Sequence, residues 1–302
     1  MTHVIPQGNR VGGVTSLGDD VFVVRHESQE KIEVYDANTF TLQRHITVPG
    51  LSSFPNGLTA CPYNSCLYAS DPVKNKIRRV HLSDTWMKRF VYKVKLPGVV
   101  TKWSVARYPA GLSVNNEHNL LVVSSGEYML QIFTTYGTLL QDIQLQADIE
   151  SPCQYRHAVQ LPTGQFLVSH AGSLHRVCLV GAVVRSYGGR RGSQLTQLNC
   201  PAGLAVDREG RVLVADHYNN RLLVIDQSLS SAHEMSVCVD GGLERPSSLW
   251  YDQSRRRLCI GELNGRVIAI DNSNNFGALT YGSPAGFSRI SPPAPAGQKS
   301  GA

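Results

Sequence analysis

Short apolar runs alternate with polar turns along almost the whole chain. The stretch 201–226 displays the pattern most clearly: PAGLAVDREGRVLVADHYNNRLLVID contains three apolar runs, separated by a glycine turn and by a polar turn. The runs are rich in aliphatic and β-branched residues, which is typical of β-strands. No stretch has the length and apolar spacing of a long amphipathic helix. The pattern therefore predicts strand–turn–strand units and an all-β protein.

The same unit recurs along the chain in six copies. Its first strand is expected to begin at Val11, Pro55, Pro109, Arg156, Pro201 and Pro246. A fourth, weaker apolar run follows the third strand, as at 42–48, 90–96 and 139–145. Repeats of about 40–50 residues with four strands are typical of β-propeller blades, whose sheets bury both faces only by stacking around an axis. We predict a six-bladed β-propeller of four-stranded antiparallel blades.

The repeats divide the chain into three parts. Residues 1–10 are expected to be an N-terminal segment that adds a ring-closing strand, and residues 11–281 the propeller. The predicted blades cover 11–50, 51–98, 104–147, 152–188, 199–243 and 245–281. Residues 282–302 are rich in Pro, Gly and Ser, so we expect a disordered tail there.

One motif carries a family resemblance. Asp216, Asn219 and Arg221, placed after Ala-Val-Asp-x-x-Gly and an apolar strand, resemble the NHL repeat. The resemblance extends over about residues 11–281, and the whole pattern is similar to the C-terminal propeller of TRIM-NHL proteins. The three residues are expected to close the turns of the repeat itself. No RING, B-box or coiled-coil segment precedes the repeats, so we carry over no ubiquitin-ligase activity from those modules.

Positive charge is concentrated in two stretches. The net charge is +6, with ten Lys or Arg and one acidic residue over 74–107, and five Arg and no acidic residue over 151–206. Such an excess indicates either a polyanionic partner or a basic face of a soluble protein.

Antiparallel strand order places two sets of connections on one face of the propeller. These are the connections between blades and the turns between the second and third strands of a blade, and we call their surface the channel-mouth face. Cationic and aromatic residues recur there, and they are the candidate binding residues: Lys74, Lys102, Trp103, Arg107, Tyr108, Tyr155, Arg156, His157, Arg190, Arg191, His217, Tyr218 and Arg245. Arg and Lys contact phosphates, and aromatic rings stack on unpaired bases.

The resemblance and these residues together predict a non-enzymatic module that binds single-stranded or stem-loop RNA. The first alternative is a protein-interaction propeller of a TRIM-NHL-like ubiquitin ligase, and the second is a metal-dependent lyase or lactonase of propeller type. Propeller lyases hold zinc with histidines on alternate blades, and at the equivalent positions here only His157 is a histidine. We therefore expect no metal, no cofactor and no catalytic residue. Trp103 and Tyr108 also fit a role in capping the core between blades.

Location and redox state follow from what the sequence lacks. No apolar run reaches the length of a membrane span, and the first residues do not resemble a signal peptide. We expect a cytoplasmic, monomeric domain without membrane contact. The seven cysteines are accordingly expected to be reduced, although Cys61 and Cys66 could meet across a hairpin.

Overall fold

The computed structural model describes residues 2–82, 100–145, 156–170, 173–177, 181–189 and 191–271. These residues form 24 β-strands in six antiparallel sheets of four strands, together with one short 3₁₀-helix at His217–Asn219. The predicted all-β, six-bladed β-propeller is confirmed. In the described parts of the chain, no helix is long and apolar enough to cross a membrane.

Strands are numbered in chain order, and each blade is given from its inner to its outer strand. Blades 1 and 2 contain β2 (Val11–Leu17), β3 (Asp20–Arg25), β4 (Lys31–Asp36), β5 (Leu42–Thr47), β6 (Leu58–Cys61), β7 (Cys66–Asp71), β8 (Lys76–His81) and β9 (Val100–Ser104). Blades 3 and 4 contain β10 (Pro109–Val114), β11 (Leu120–Ser124), β12 (Met129–Phe133), β13 (Leu139–Gln144), β14 (His157–Gln160), β15 (Phe166–His170), β16 (Ser173–Val177) and β17 (Val183–Gly188). Blades 5 and 6 contain β18 (Pro201–Val206), β19 (Val212–Asp216), β20 (Arg221–Ile225), β21 (Ala232–Met235), β22 (Pro246–Asp252), β23 (Arg257–Glu262), β24 (Val267–Asp271) and β1 (Thr2–Ile5).

The inner strands form a closed ring around the central channel. Each of β2, β6, β10, β14 and β18 contacts the inner strand of the next blade, and β22 contacts β2. The outer strand of blade 6 comes from the other end of the chain, because β1 pairs with β24 in antiparallel register from Thr2↔Ile270 to Ile5↔Val267. The N-terminal strand thus joins the last blade to the first.

The core lies between the blades, and alternation along each strand fills both of its sides. In β19, Val212 and Val214 pack into a cluster shared with blade 4, while Leu213 and Ala215 pack into a cluster shared with blade 6. All five residues of β19 are buried. Successive side chains of a strand point to opposite faces of the sheet, so a continuous apolar run is required wherever both faces are covered.

The outer strand of blade 2 differs from the prediction. The run 90–96, expected to be that strand, lies outside the described residues, and the strand that pairs with β8 is β9. The second blade therefore extends past residue 98, to Ser104. Lys102 and Trp103, expected in the connection between blades, are strand residues paired with Arg78 and Ile77.

Packing explains why Trp103 belongs to a strand. Its ring lies 6.2 Å from the ring of Tyr68 and 6.1 Å from that of Phe133, between blades 2 and 3. A Cβ atom added at Gly137 would lie only 2.5 Å from this indole, so the turn that carries Gly137 packs directly on it. Trp103 caps the core, and Lys102 is exposed on the outer edge of the blade, away from the channel.

Candidate functional site at the channel mouth

Two arginines face each other at the mouth of the central channel. Arg10 precedes β2 in blade 1 and Arg156 precedes β14 in blade 4, so they approach the channel from opposite sides of the ring. Both line a cavity of about 70 Å³ at the channel, and no Asp or Glu lines it among the described residues. Burial, and after it the positive charge of Arg156, lowers the pKa of Arg10. The two like charges are therefore close enough to interact.

Neither arginine forms an ion pair within the described part of the chain. The buried Nε of Arg10 has no hydrogen-bond partner among those residues. Among the described residues, Arg156 donates a weak hydrogen bond, 3.8 Å long, from Nη2 to the sulfur of Cys200. A partly buried guanidinium is normally paired, so an anion is the ligand that this arrangement would best accept.

Three arginines that close turns within blades contrast with this pair. Arg221 Nε lies 2.8 Å from Asp216, and Arg266 Nε lies 2.6 Å from Glu262. In blade 2, Nη2 of Arg78 lies 3.5 Å from Asp71. These carboxylates are fully buried at the ends of the second strands, so their arginines close the turns of the repeat. The two arginines at the channel differ from these three in having no such internal carboxylate among the described residues.

The histidines around the mouth do not add to this charge at neutral pH. Burial lowers the pKa of His157 to about 4, and its Nε2 lies 3.0 Å from the carbonyl oxygen of Leu112. Burial also lowers the pKa of His217, whose Nδ1 lies 3.1 Å from the carbonyl oxygen of Pro246. Both rings therefore serve the packing of neighbouring blades in their neutral form.

Three aromatic side chains stand exposed around the mouth. Phe54 is 49% exposed, Tyr108 52% and Tyr218 48%. Two of these rings are covered on one side by an arginine, since the guanidinium carbon of Arg107 lies 5.7 Å from the centre of Tyr108 and that of Arg245 lies 5.8 Å from the centre of Tyr218. The mouth thus combines flat apolar surfaces with cations.

One repeated device positions two of these residues. The backbone N–H of Tyr108 donates to Asn75 Oδ1 at 3.0 Å, and that of Arg245 donates to Asn220 Oδ1 at 2.8 Å. Each asparagine lies in the turn between the second and third strands of the preceding blade. Both bonded residues have a left-handed backbone, with φ of 54° at Tyr108 and 47° at Arg245. The rigid turns of one blade therefore set the direction of the side chain that begins the next.

The predicted site residues divide into four groups. Arg107, Tyr108, Arg156, His157, His217, Tyr218 and Arg245 lie together around the mouth. Lys74 and Arg191 lie at its periphery, where the Nζ of Lys74 donates to the carbonyl oxygen of Gly50 at 2.7 Å and Arg191 forms a β-bridge with Leu198. Lys102 and Trp103 lie on β9 and are removed from the site. Tyr155 and Arg190 lie outside the described residues.

Arg10 was missed by the sequence prediction. Arg10 directly precedes the first inner strand, as Tyr108 and Arg245 do in their own blades. An alignment of the six copies therefore places Arg10 at the channel mouth. The sequence pattern indicates only ring closure for the first ten residues, because the apolar repeat itself begins after Arg10.

A larger cleft lies elsewhere, between the closing strand and blade 1. It has a volume of about 570 Å³ and is lined by Arg25, Glu33 and Tyr35, among others. Arg25 Nε lies 2.7 Å from Glu33, and the hydroxyl of Tyr35 donates to the same carboxylate at 2.9 Å. Because the Glu33 carboxylate is already bound by Arg25 and Tyr35, it is less available to a ligand than the arginines of the channel mouth. Among the described residues, no three His, Cys, Asp or Glu side chains are grouped as a metal site.

Comparison with known proteins places the repeat in a family. The family profile for the NHL repeat matches residues 198–225, the segment that contains Asp216, Asn219 and Arg221. Residues 198–225 are an NHL repeat. The expected NHL-type propeller is therefore confirmed, and the motif has the expected structural role: Asn219 Nδ2 and Arg221 Nε both donate to Asp216 Oδ2, at 2.7 and 2.8 Å.

Similar proteins were found by sequence and by structure. Protein brain tumor of Drosophila melanogaster is 24% identical over 168 residues, which are 54% of this chain and 15% of that protein. This chain thus spans a small part of that relative. A streptogramin B lyase structure superposes with a TM-score of 0.64 at 11% identity, covering 90% of this chain and 98% of that chain. Virginiamycin B lyase from Staphylococcus aureus gives a TM-score of 0.59 at 11% identity, covering 91% and 89%. At these identities the structural likeness shows the fold alone.

Proposed function

We propose that this NHL propeller is a non-catalytic recognition module that binds RNA through its channel-mouth face. The observation that carries the proposal is the pair Arg10 and Arg156, which line the channel without an ion pair among the described residues. Exposed aromatic rings beside this pair supply the second element that single-stranded RNA requires.

The chemistry of RNA fits this arrangement. A backbone phosphate placed between the two guanidinium groups would remove the repulsion between them and satisfy the buried Nε of Arg10. An unpaired base stacks on an exposed aromatic ring, and Tyr108 and Tyr218 stand on either side of the mouth at the start of blade 3 and in blade 5. A duplex hides the faces of its bases, so the proposed ligand is a single strand or the loop of a stem.

A catalytic role is less well supported by the residues at the mouth. The histidine at the position that a propeller zinc site would use is His157, and its Nε2 already contacts the carbonyl oxygen of Leu112. Its other nitrogen is enclosed and has no partner among the described residues. The likeness to lyases is a likeness of fold, so it adds no residue to a reaction.

The test begins with selection of RNA ligands against the purified chain, followed by fluorescence anisotropy at several salt concentrations. Replacing both Arg10 and Arg156 with Gln is expected to weaken binding and to reduce the slope of log K against log salt by about 0.7 for each phosphate that the variant no longer neutralises. Tyr218→Ala is expected to cost about 1–3 kcal/mol of binding free energy if a base stacks there.

The matched control is Arg208→Gln. Arg208 is exposed in the turn between β18 and β19, on the opposite face of the propeller, so its replacement should leave affinity and salt slope unchanged. Thermal unfolding of every variant checks that the fold is retained. RNA affinity and salt slope that do not change in the Arg10 and Arg156 double variant would contradict the proposal. Binding of a protein whose affinity the same two changes abolish would establish the protein-interaction alternative instead.

A further inference from the structure

Cys61 and Cys66 face each other across the hairpin between β6 and β7. Cys61 ends β6, Cys66 begins β7, and the two are directly paired in the antiparallel register. Directly opposite residues have Cα atoms about 4.5 or 5.5 Å apart, and both distances fall within the range that a disulfide spans. The two cysteines are fully buried, and their side chains lie close enough to affect each other's pKa. This hairpin lies on the face opposite the channel mouth, so it is independent of the proposed RNA site.

The surroundings make the two sulfur atoms unequal. A hydrogen bond with Cys61, and further hydrogen bonds with Tyr68 and Arg79, lower the pKa of Cys66 against the opposing effect of burial. The hydrogen bond with Cys66 and burial raise the pKa of Cys61, whose sulfur also accepts a hydrogen bond of 3.2 Å from Asn64 Nδ2. A thiolate is the reactive form of cysteine, so Cys66 has the character of a nucleophile and Cys61 that of its resolving partner.

We propose that Cys61 and Cys66 form a peroxide-sensitive thiol pair that closes reversibly to a disulfide. The Cys66 thiolate attacks one oxygen of hydrogen peroxide, the O–O bond breaks, and hydroxide departs, leaving a sulfenic acid on Cys66. The sulfur of Cys61 then attacks the sulfur of Cys66, the S–O bond breaks, and the departing hydroxyl takes up the Cys61 proton and leaves as water. Peroxide is reduced and the two thiols are oxidised. A dithiol such as dithiothreitol restores both thiols by exchange.

The hairpin gives an oxidant a route to the pair. The turn between the two cysteines is exposed at Pro62, Tyr63 and Ser65, with Tyr63 75% exposed. The two cysteines pack in the core between blades 2 and 3 and are the strand residues next to this turn, so local opening at the turn is the route that we expect for an oxidant.

Oxidation of the two cysteines would also affect the contacts between blades 2 and 3. The hydroxyl of Tyr68 lies 2.6 Å from that of Thr135, and the guanidinium of Arg79 lies 5.1 Å from the ring centre of Tyr136. Both side chains contact Cys66 on one side and blade 3 on the other. Forming the disulfide would replace the Cys66 thiol beside which Arg79 and Tyr68 lie, so their contacts with blade 3 are expected to change.

The test uses the full chain, reduced with dithiothreitol, desalted and exposed to rising concentrations of hydrogen peroxide. Alkylation and peptide mass spectrometry are expected to find a peptide that has lost two hydrogen atoms and links Cys61 to Cys66, and dithiothreitol should reverse it. In Cys61→Ser, dimedone should trap a sulfenic acid on Cys66. In Cys66→Ser, Cys61 should remain an unmodified thiol.

Cys259→Ser is the control, because Cys259 is a buried cysteine of blade 6 whose pKa burial raises to about 12, and its replacement should leave the disulfide yield unchanged. Thermal unfolding of the three variants checks that each is folded. Oxidation that leaves Cys61 and Cys66 as free thiols, or that links either only to another chain, would overturn the proposal. Trapping of a sulfenic acid on Cys61 rather than on Cys66 would overturn the assignment of the nucleophile.

Discussion

Replacing Arg221 with Met is expected to destabilise the propeller strongly, because the change strands a buried carboxylate. Asp216 is fully buried, and Arg221 is its charged partner at 2.8 Å. The same guanidinium also donates to the carbonyl oxygens of Ser193, Gln194 and Gln197, at 2.7–3.0 Å, and so holds the connection between blades 4 and 5. Breaking a buried ion pair on one side costs about 3–5 kcal/mol of the free energy of unfolding.

The lower end of that range is expected here, because two donors remain. Asn199 N–H and Asn219 Nδ2 both lie 2.7 Å from the Asp216 carboxylate and continue to donate to it. The assay is urea unfolding at neutral pH, with the free energy extrapolated to water. A double variant that also changes Asp216 to Asn should cost less than the sum of the two single changes, since the stranded charge is then removed.

Arg44→Met is the matched control for burial. Arg44 and Asp20 form an ion pair of 2.7 Å, as short as the buried one, but the Arg44 side chain is 54% exposed. Exposed pairs contribute about 0–1 kcal/mol, so this variant should unfold at nearly the wild-type urea concentration. A destabilisation below about 1 kcal/mol for Arg221→Met, equal to that of the control, would refute the reasoning from burial.

Two further predictions concern pH and ring closure. Burial lowers the pKa of His157 from 6.5 to about 4, so the unfolded chain binds a proton more readily than the folded chain does. The free energy of unfolding should therefore be highest above pH 6.5 and fall by up to about 3 kcal/mol as the pH drops toward 4. Urea unfolding across this pH range should show a smaller loss in His157→Gln. In the same assay, Ile5→Ala should lower the free energy of unfolding by about 2–4 kcal/mol, because Ile5 in β1 is only 2% exposed. Val4→Ala, at a site 43% exposed, should lower it by less than about 1 kcal/mol. Equal destabilisation at the two sites would contradict the packing of the closing strand.

The inner three strands of each blade could be predicted because burial on both faces leaves a plain signal. The segments that became β7, β11, β19 and β23 are buried along their whole length, so their apolar runs are continuous and separated by turns. The repeat then multiplies the signal, since a weak copy is recognised by its place between strong ones. The stacking of blades, which buries both faces of each sheet, is therefore what makes this fold predictable from the sequence.

Outer strands are predicted less well because they bury only part of their surface. In β9, Trp103 carries the apolar contact and Lys102 beside it is exposed, so the strand does not differ visibly from a polar loop. The preceding run at 90–96 alternates apolar and polar residues over a longer stretch, so the sequence predicts the outer strand there instead. This one difference moved two residues out of the predicted site, because a residue's distance from the channel depends on which strand it occupies.

The sequence predicts the site residues whose positions follow from the repeat. It does not predict which arginines lack a carboxylate partner in the folded chain. The spacing of Asp216, Asn219 and Arg221 already assigns Arg221 to the repeat, whereas nothing in the sequence shows whether Arg156 is paired; in the structure it forms no ion pair among the described residues. The distinction needs the positions of the carboxylates in three dimensions. Arg10 depends on this most, because its charge matters only beside Arg156, from which it is 146 positions away in the sequence yet near in the ring.

The position before each inner strand explains how one scaffold can serve recognition. In the five blades where this position is among the described residues, it is occupied by Arg10, Phe54, Tyr108, Cys200 and Arg245. In blades 3 and 6 the backbone there is fixed by an asparagine of the preceding blade, so the side chain can change while its direction is kept. Arg156 lies one position later, where four of the other copies have proline, and it places a cation at the channel. The charged pair across the channel thus arises from two substitutions in a repeat whose internal ion pairs are left intact, which is why we place binding at this face and stability in the buried pairs beneath it.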